Sequence, residues 1–267
     1  MNTIGGLEGK GAIVIGGGLG MGEATALLLA SCGCDVAIVD IDESRASVVA
    51  AKVVDMGRKS IAIACDVVSS ADHSDLIAQA DEAIPNLQLM ATIVGMASWN
   101  PVLKMPADIW DRDLSMNVRY FYILARAFAE RLAKANRPGS IVAWSSVDGT
   151  HASPQHAAYG AAKAALISLA KSMAAEWAQY GLRVNTVAPG SISTPRLPET
   201  PERRERMAKS HVPLGRSGTP QEVANVAAFL LSDLSSYITG HTVAVDGGWT
   251  IANMFTPVER LDPRNLE

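Results

Sequence analysis

Short apolar runs rich in β-branched residues alternate with longer amphipathic stretches along most of the chain. The short runs are typical of strands buried on both faces, and the longer stretches are typical of helices. The predicted strands are 11–15, 35–40, 60–65, 87–94, 140–145, 182–188 and 241–245. No hairpin signal interrupts the alternation. The pattern therefore predicts an α/β fold with a Rossmann-like, doubly wound parallel β-sheet of about seven strands and helices on both faces.

Helix boundaries follow from capping and breaking residues between these strands. A helix begins near Glu23, and the others span 43–56, 70–84, 107–135, 157–180, 202–210 and 220–231. Residues 191–219 are irregular and rich in proline, which suggests a segment that covers a substrate. No repeat or linker divides the sequence, so residues 1–267 are interpreted as a single domain.

Composition narrows the possible functions. Hydrophobic residues make up 48% of the 267 residues and the formal net charge is −4, which argues against nucleic acid as a partner. The three cysteines lack metal-site spacing and suggest free thiols in a reducing compartment. The five histidines also lack metal-ligand spacing, so no metal is predicted. There is no secretory signal and no membrane-length apolar run, so a cytoplasmic location is expected.

A glycine-rich turn follows the first predicted strand and opens the first helix. Its glycines are spaced as Gly16-x-x-x-Gly20-x-Gly22 rather than as G-x-G-x-x-G. Glycines let the backbone approach a pyrophosphate, and a helix N-terminus offers free N–H groups to it. An ordinary glycine turn is the alternative. Asp40 closes the second strand, where a carboxylate can bind ribose hydroxyls and repel a 2′-phosphate, so NAD is favoured over NADP. A helix-capping aspartate is the alternative there, although Asp42 suits that role better.

Tyr159-Gly-Ala-Ala-Lys163 begins a helix made largely of small residues. A Tyr and a Lys four positions apart lie on one helical face. A free Tyr has a pKa of about 10, and a nearby cation lowers it. A phenol adjusted in this way can exchange a proton with the oxygen of an alcohol or carbonyl. The pair also occurs by chance in many helices, so its meaning depends on the rest of the chain.

Several of these motifs together resemble the short-chain dehydrogenase/reductase family over nearly the full length. The matching residues are the three glycines, Asp66-Val67, Asn117, Ser145-Ser146, Tyr159, Lys163, Asn185, Pro189-Gly190, Thr194, Gly215 to Pro220, Glu222 and Asp246 to Gly248. The resemblance implies catalysis by Asn117, Ser146, Tyr159 and Lys163. Tyr159 would be the general acid/base, assisted by Lys163, with Ser146 on the reacting oxygen and Asn117 holding a relay water. It also implies a homotetramer.

The implied cofactor is NAD, with NADP less favoured. The residues expected to bind it are Gly16, Gly18, Leu19, Gly20, Met21, Gly22, Asp40, Ile41, Asp66, Val67, Gly95, Tyr159, Lys163, Pro189, Gly190, Ile192 and Thr194. Residues expected to contact a small-molecule alcohol or ketone are Met96, Trp99, Asp148, His151, His156 and Leu197. The expected reaction interconverts a secondary alcohol and a ketone. A 3-oxoacyl-carrier-protein-type reductase and an inactive NAD-binding scaffold are the alternatives.

The sequence departs from the family pattern in two places. Ile15 precedes the first glycine where the family usually has Thr, and Thr92-Ile-Val-Gly95 replaces Asn-Asn-Ala-Gly. Both stretches lie on predicted neighbouring strands. We expect compensating apolar replacements that leave no buried polar group without a partner.

Overall fold

The structure is a computed structural model that describes residues 4–69, 72–209 and 212–252. In this part of the chain seven parallel strands form one sheet in the order β3-β2-β1-β4-β5-β6-β7. The strands are β1 (Gly11–Ile15), β2 (Asp35–Asp40), β3 (Ser60–Ala64), β4 (Leu87–Thr92), β5 (Gly139–Trp144), β6 (Leu182–Pro189) and β7 (Thr242–Val245). The predicted fold class is confirmed.

The described residues form eight α-helices, six of which cover the two faces of the sheet. They are α1 (Met21–Ser31), α2 (Glu43–Asp55), α3 (Ser74–Ala83), α4 (Ala107–Leu114), α5 (Tyr120–Lys134), α6 (Ala157–Trp177), α7 (Pro201–Ala208) and α8 (Pro220–Leu231). Alternate strand residues point to opposite faces, so Ile13 joins the core under α3, α5 and α6, while Val14 joins the core under α1, α2 and α8. Burial on both sides explains why the strands are apolar throughout.

Side-chain caps set several of the helix starts. Asp42 accepts hydrogen bonds from the backbone N–H groups of Ser44 and Arg45, which confirms it as the N-cap of α2. Thr219 and Glu222 form a capping box at the start of α8. Thr200 caps α7, which begins at Pro201, one residue before the predicted start at Glu202.

The predicted long helix 107–135 is wrong as a single element. A π-helical turn, Ser115–Arg119, separates α4 from α5 and has Asn117 at its centre. Asn117 forms hydrogen bonds with the backbone of Met96, outside the helix, and one wide turn accommodates this pairing. The hydrophobic periodicity of the sequence does not reveal this turn, because a π turn adds only one residue to a continuous helix.

Several boundaries also differ from expectation by one to a few residues. β4 ends at Thr92 rather than at Val94, and α3 begins at Ser74, whereas the predicted start at Ser70 lies outside the described residues. None of the helices described is long and apolar enough to cross a membrane.

Candidate active site

The glycine turn after β1 is shaped to receive an anionic group. Gly16 and Gly20 have φ of +80° and +61°, a region that favours glycine. A Cβ at Gly22 would lie 1.9 Å from the carbonyl oxygen of Gly16, so no side chain fits there. α1 begins at Met21 without a side-chain cap on its first N–H groups. The closely packed backbone from Gly16 to Gly22 and the uncapped N–H groups of α1 form a cradle that fits a pyrophosphate.

Asp40 is buried at the end of β2 and joins the glycine turn to α2. Its Oδ2 accepts from the backbone N–H of Gly18 at 3.1 Å, and its Oδ1 accepts from the backbone N–H of Asp42 at 3.1 Å. Arg45 Nη2 donates to Oδ1 at 2.7 Å. The carboxylate is therefore fixed in direction at the edge of the sheet. Arg45 is not among the predicted site residues, although a cation five residues after Asp40 is a usable signal in the sequence.

A cavity of about 450 Å³ lies outside the carboxyl ends of β1 to β4. Ten of the predicted cofactor residues line it: Gly16, Leu19, Gly20, Met21, Asp40, Ile41, Asp66, Val67, Gly95 and Thr194. Unpredicted lining residues include Cys65, Met116 and Arg196, and Met96, expected on the substrate side, also lines it. Gly20 lies within 3.7 Å of Thr194 and Pro195, measured from the place of a Cβ, so the segment after β6 crosses over the glycine turn.

The remaining predicted cofactor residues lie around this cavity rather than on its wall. Gly18 packs on Asp40, and Gly22 packs on Gly16. Pro189 ends β6, Gly190 packs against Asp246, and Ile192 is buried in the core. Their predicted contacts with a cofactor stay predictions. The cavity, the glycine cradle and the oriented Asp40 together fit a dinucleotide.

Tyr159 and Lys163 lie on the first turns of α6, as predicted. The Lys163 ammonium nitrogen is 5.6 Å from the centre of the Tyr159 ring, and it donates to the carbonyl oxygen of Trp144 at 2.7 Å. Burial raises the pKa of Tyr159 to about 12, although a hydrogen bond with Ser146 acts in the opposite direction. Burial also lowers the pKa of Lys163 to about 7. Desolvation therefore dominates the pKa of both groups in this arrangement, and the expectation that a protonated Lys163 lowers the pKa of Tyr159 stays a prediction.

Ser146 reaches the same site from the end of β5. Its Oγ accepts from the backbone N–H of Asp148 at 3.1 Å, which caps the 3₁₀ turn Val147–Gly149. Gly149 and Gly160 permit this turn to pack closely on α6, because a Cβ at Gly149 would lie 2.8 Å from the backbone of Lys163. This packing places the Ser146 hydroxyl next to Tyr159.

Asn117 and Lys163 converge on Gly95. A Cβ at Gly95 would lie 2.6 Å from Asn117 Oδ1 and 3.0 Å from Lys163 Nζ. Asn117 Nδ2 donates to the carbonyl oxygens of Met96 and Asp113, each at 2.9 Å, and Oδ1 accepts from the backbone N–H of Met96 at 3.2 Å. The four predicted catalytic side chains thus meet beside the cavity. The relay water implied for Asn117 stays a prediction.

The predicted substrate residues lie on two walls, the loops that carry Trp99 and His156 and the segment after β6 that carries Leu197. Trp99 and His156 pack on each other with ring centroids 3.5 Å apart, and the backbone N–H of Asn100 donates to the carbonyl oxygen of Gln155 at 2.8 Å. Asp148 lies beside His156. Leu197 is exposed, and His151 contacts Trp249 instead, at 6.1 Å between ring centroids.

Two further residues that the sequence analysis missed hold these walls. Asp113 is buried and accepts from the Ser98 hydroxyl at 2.6 Å, which fixes the loop that carries Trp99. Arg203 is also buried, although its charged neighbours on α7 are exposed as predicted. It donates to the carbonyl oxygens of Leu197 and Ile192 and to the Ser191 hydroxyl.

The departures at β1 and β4 form a mostly apolar pair. Ile15 is buried opposite Thr92 in the sheet register, and the backbone N–H of Ile93 donates to the carbonyl oxygen of Ile15 at 2.9 Å. The buried Thr92 hydroxyl lies beside the hydroxyl of Tyr120, which acts on it as a side-chain hydrogen-bond partner. The Tyr120 hydroxyl also donates to the carbonyl oxygen of Val94. The expectation of compensating replacements stays a prediction.

The cysteines and histidines do not assemble a metal site in the described part of the chain. Cys32 and Cys34 are buried free thiols as predicted, and Cys65 is a partly buried free thiol. No group of three potential ligands is close enough to hold a metal ion among residues 4–69, 72–209 and 212–252. His211 lies outside these ranges.

The chain is similar to known oxidoreductases over most of its length. A family model described as Enoyl-(Acyl carrier protein) reductase matches residues 17–250. The chain is 34% identical to 2-(S)-hydroxypropyl-CoM dehydrogenase 3 of Xanthobacter autotrophicus, covering 91% of this chain and 98% of the relative. It is 33% identical to a 3-oxoacyl-[acyl-carrier-protein] reductase of Thermotoga maritima, covering 92% and 99%.

A solved structure extends the similarity to the fold. A 7α-hydroxysteroid dehydrogenase in complex with NADH and 7-oxo glycochenodeoxycholic acid superposes with a TM-score of 0.85 at 31% identity. The match covers 91% of this chain and 94% of that protein. The similarity therefore includes both the sheet and the segments that form the cavity.

Proposed function

The chain belongs to the short-chain dehydrogenase/reductase family, and from this premise we propose that it interconverts a secondary alcohol and a ketone with NAD. Its relatives make it an oxidoreductase that acts on CH–OH groups. One observation carries the finer proposal. The side chains of Tyr159, Ser146, Lys163 and Asn117 converge beside a cavity that fits a dinucleotide.

The proposed mechanism assigns one task to each side chain. A bound nicotinamide cofactor supplies or accepts the hydride, and the protein supplies orientation and a proton. In reduction, Tyr159 Oη gives its proton to the carbonyl oxygen, and in oxidation the tyrosinate takes the proton of the alcohol. The Ser146 hydroxyl donates to the same oxygen and stabilises its developing negative charge.

Lys163 and Asn117 assist proton transfer to and from Tyr159. The protonated Lys163 amine stabilises the tyrosinate from the same face of α6. Its pKa of about 7 lets it release or accept a proton near neutral pH. Asn117 lies against the same backbone position, Gly95, where it would hold the relay water that takes a proton from Lys163 and passes it to solvent.

Asp40 supports NAD as the cofactor. Its carboxylate lines the cavity at the end of β2 and is held by Gly18 and Arg45, so it cannot turn away from a 2′-phosphate. Hydrogen bonds to the ribose hydroxyls suit the same geometry. The related 7α-hydroxysteroid dehydrogenase structure contains NADH.

The walls of the site support a mid-sized and largely apolar substrate. Trp99 and Leu197 expose 70% and 55% of their surface, which leaves apolar area for a ligand to cover. The name of one relative contains hydroxypropyl-CoM, and that of a related structure contains a hydroxysteroid. The hydroxysteroid is a mid-sized and largely apolar alcohol, in line with this interpretation.

An absorbance assay for reduced nicotinamide tests the proposal. We expect secondary alcohols to be oxidised with NAD, and Tyr159→Phe to lower turnover by about 10³-fold while NAD still binds by calorimetry. A Tyr159→Phe variant as active as the parent would contradict the assignment of the acid/base. A preference for NADP would favour the 3-oxoacyl-carrier-protein-type reductase, and NAD binding without any turnover would favour the scaffold.

A further inference from the structure

The imidazole of His156 lies unpaired on the substrate side of Tyr159. The two ring centroids are 6.4 Å apart, and the edge of Trp99 covers the other side of the imidazole. The His156 side chain is only 14% exposed, and neither of its ring nitrogens has a hydrogen-bond partner. A buried polar group without a hydrogen-bond partner loses the solvation it has in water and is unfavourable. A ligand that supplies a partner removes this cost.

The backbone holds His156 in this position. His156 is the N-cap of α6 but makes no side-chain capping bond. Its backbone N–H donates to the carbonyl oxygen of Ser153 at 3.0 Å, and the preceding residue, Gln155, has φ of +66°. Such a conformation is strained for a non-glycine residue and persists only where its surroundings enforce it. The turn therefore presents the imidazole toward Tyr159 and not toward the helix.

Asp148 places a carboxylate beside His156 on the same wall of the site. Its Oδ2 is 3.7 Å from His156 Nδ1, which is too long for a hydrogen bond but short enough for both groups to contact one ligand oxygen at their side. Asp148 is itself positioned because its backbone N–H donates to Ser146 Oγ. A carboxylate here disfavours an anionic substrate group and accepts a hydrogen bond from a neutral hydroxyl.

We propose that His156 and Asp148 bind a second, uncharged oxygen of the substrate, so that the preferred substrates are vicinal diols and α-hydroxy ketones. The inference rests on the proposed function, in which Tyr159 and Ser146 bind the reacting oxygen. Oxygens on adjacent carbons are close enough for one to meet Tyr159 while the other meets His156 across the same space. The imidazole can donate to a keto oxygen or accept from a hydroxyl, according to its tautomer.

The test uses pairs of alcohols that differ only in the second oxygen. The pairs are 2-butanol with 2,3-butanediol, cyclohexanol with 1,2-cyclohexanediol, and 1-phenylethanol with 1-phenyl-1,2-ethanediol. We expect the parent to favour the diol in kcat/KM by at least tenfold in the best pair. His156→Phe should lower this ratio by at least tenfold, and His156→Gln, which keeps a donor and an acceptor, should lower it less. His241→Phe, at an exposed histidine just before β7, is the matched control and should keep the parent ratio.

Asp148→Asn tests the charge argument and provides a second variant if His156→Phe does not fold. It should improve the relative kcat/KM for 3-hydroxybutyrate, whose carboxylate the parent repels. A parent without preference for diols, or a preference that survives in both His156 variants, would overturn the inference.

A binding measurement separates this inference from the proposed function. Calorimetry of the diols with the NAD-loaded parent and with NAD-loaded His156→Phe needs no turnover. Binding that depends on His156, without oxidation of any alcohol, would support the inference and contradict the proposed function. Oxidation of alcohols with a diol ratio and diol affinity that do not depend on His156 would contradict the inference alone.

Discussion

At the scale of single residues, burial determines the protonation of Tyr159 and Lys163 more than their attraction for each other does. Burial takes water away from both groups and thereby disfavours the charged form of each. The pKa of Tyr159 therefore rises and that of Lys163 falls. The free protein therefore keeps a neutral phenol close to an amine that titrates near pH 7. A ligand that brings charge or hydrogen bonds to this site would change both values together, which links proton transfer to binding.

The lowered pKa of Lys163 predicts how stability depends on pH. The unfolded chain keeps the lysine proton up to pH 10.5, whereas the native protein releases it above about pH 7. The native state therefore gains stability as pH rises through this window and loses it as pH falls toward 7. We expect the parent to gain on the order of 3 kcal/mol relative to Lys163→Met between pH 7 and pH 9.5.

Urea unfolding of the cofactor-free proteins at the two pH values measures this gain. The raised pKa of Tyr159 affects stability only above its ordinary value of 10.0, outside the tested range. Lys171→Met, which replaces an exposed lysine of the same helix, is the control and should show no such pH dependence. An equal difference between parent and Lys163→Met at both pH values would contradict the prediction.

The Asp40–Arg45 pair predicts how cofactor preference can be reversed. Asp40→Ser removes the carboxylate and also frees Arg45, whose Nη2 now donates to it at 2.7 Å. A free guanidinium next to the ribose site suits a phosphate. We expect the NADP-to-NAD ratio of kcat/KM to rise by about 100-fold, which corresponds to about 2.8 kcal/mol. The double variant Asp40→Ser with Arg45→Met should lose most of that gain. Equal gains in the two variants would exclude a role for Arg45.

At the scale of secondary structure, the sequence predicts what depends on local patterns. The strands, the caps Asp42 and Thr200, and the glycine turn all follow from patterns of a few residues. The π turn at Asn117 could not be predicted, because it depends on hydrogen bonds to Met96 on a distant segment. The same holds for the burial of Arg203 within a charged run. These features form only when tertiary contacts compete successfully with local propensity.

Arg203 predicts how the segment between β6 and α7 keeps its shape. It binds this segment at Leu197, Ile192 and Ser191, so it acts as a positioning residue for Thr194 at the cavity. We expect Arg203→Met to raise the KM for NAD at least tenfold, about 1.4 kcal/mol, with a smaller change in kcat. Arg204→Met is the control, since this neighbouring side chain is 74% exposed. If both variants shifted KM alike, charge and not the internal hydrogen bonds would be responsible.

At the scale of the whole molecule, two neighbouring helices keep exposed faces that suit another copy of the chain. α6 exposes small residues at Ala164, Ala165, Ser168 and Ser172, which permit close helix packing. On α5, Tyr122 is 46% exposed. β7 is the last strand of the sheet in the described residues, so a second interface can form beside it. These faces support the homotetramer that the family resemblance implies.

The predicted assembly can be tested by one substitution on α6. We expect the parent to elute with four times the 28.1 kDa chain mass in size-exclusion chromatography with light scattering. Ser168→Arg places a charged and bulky side chain on the packed face, where burying an unpaired charge is unfavourable, so it should produce dimers or monomers. Ala51→Arg makes the same chemical change on the exposed face of α2, away from both helices, and should remain tetrameric. A monomeric parent, or a tetramer that tolerates Ser168→Arg, would show that α6 is a solvent-facing helix and that its small residues serve packing within the chain only.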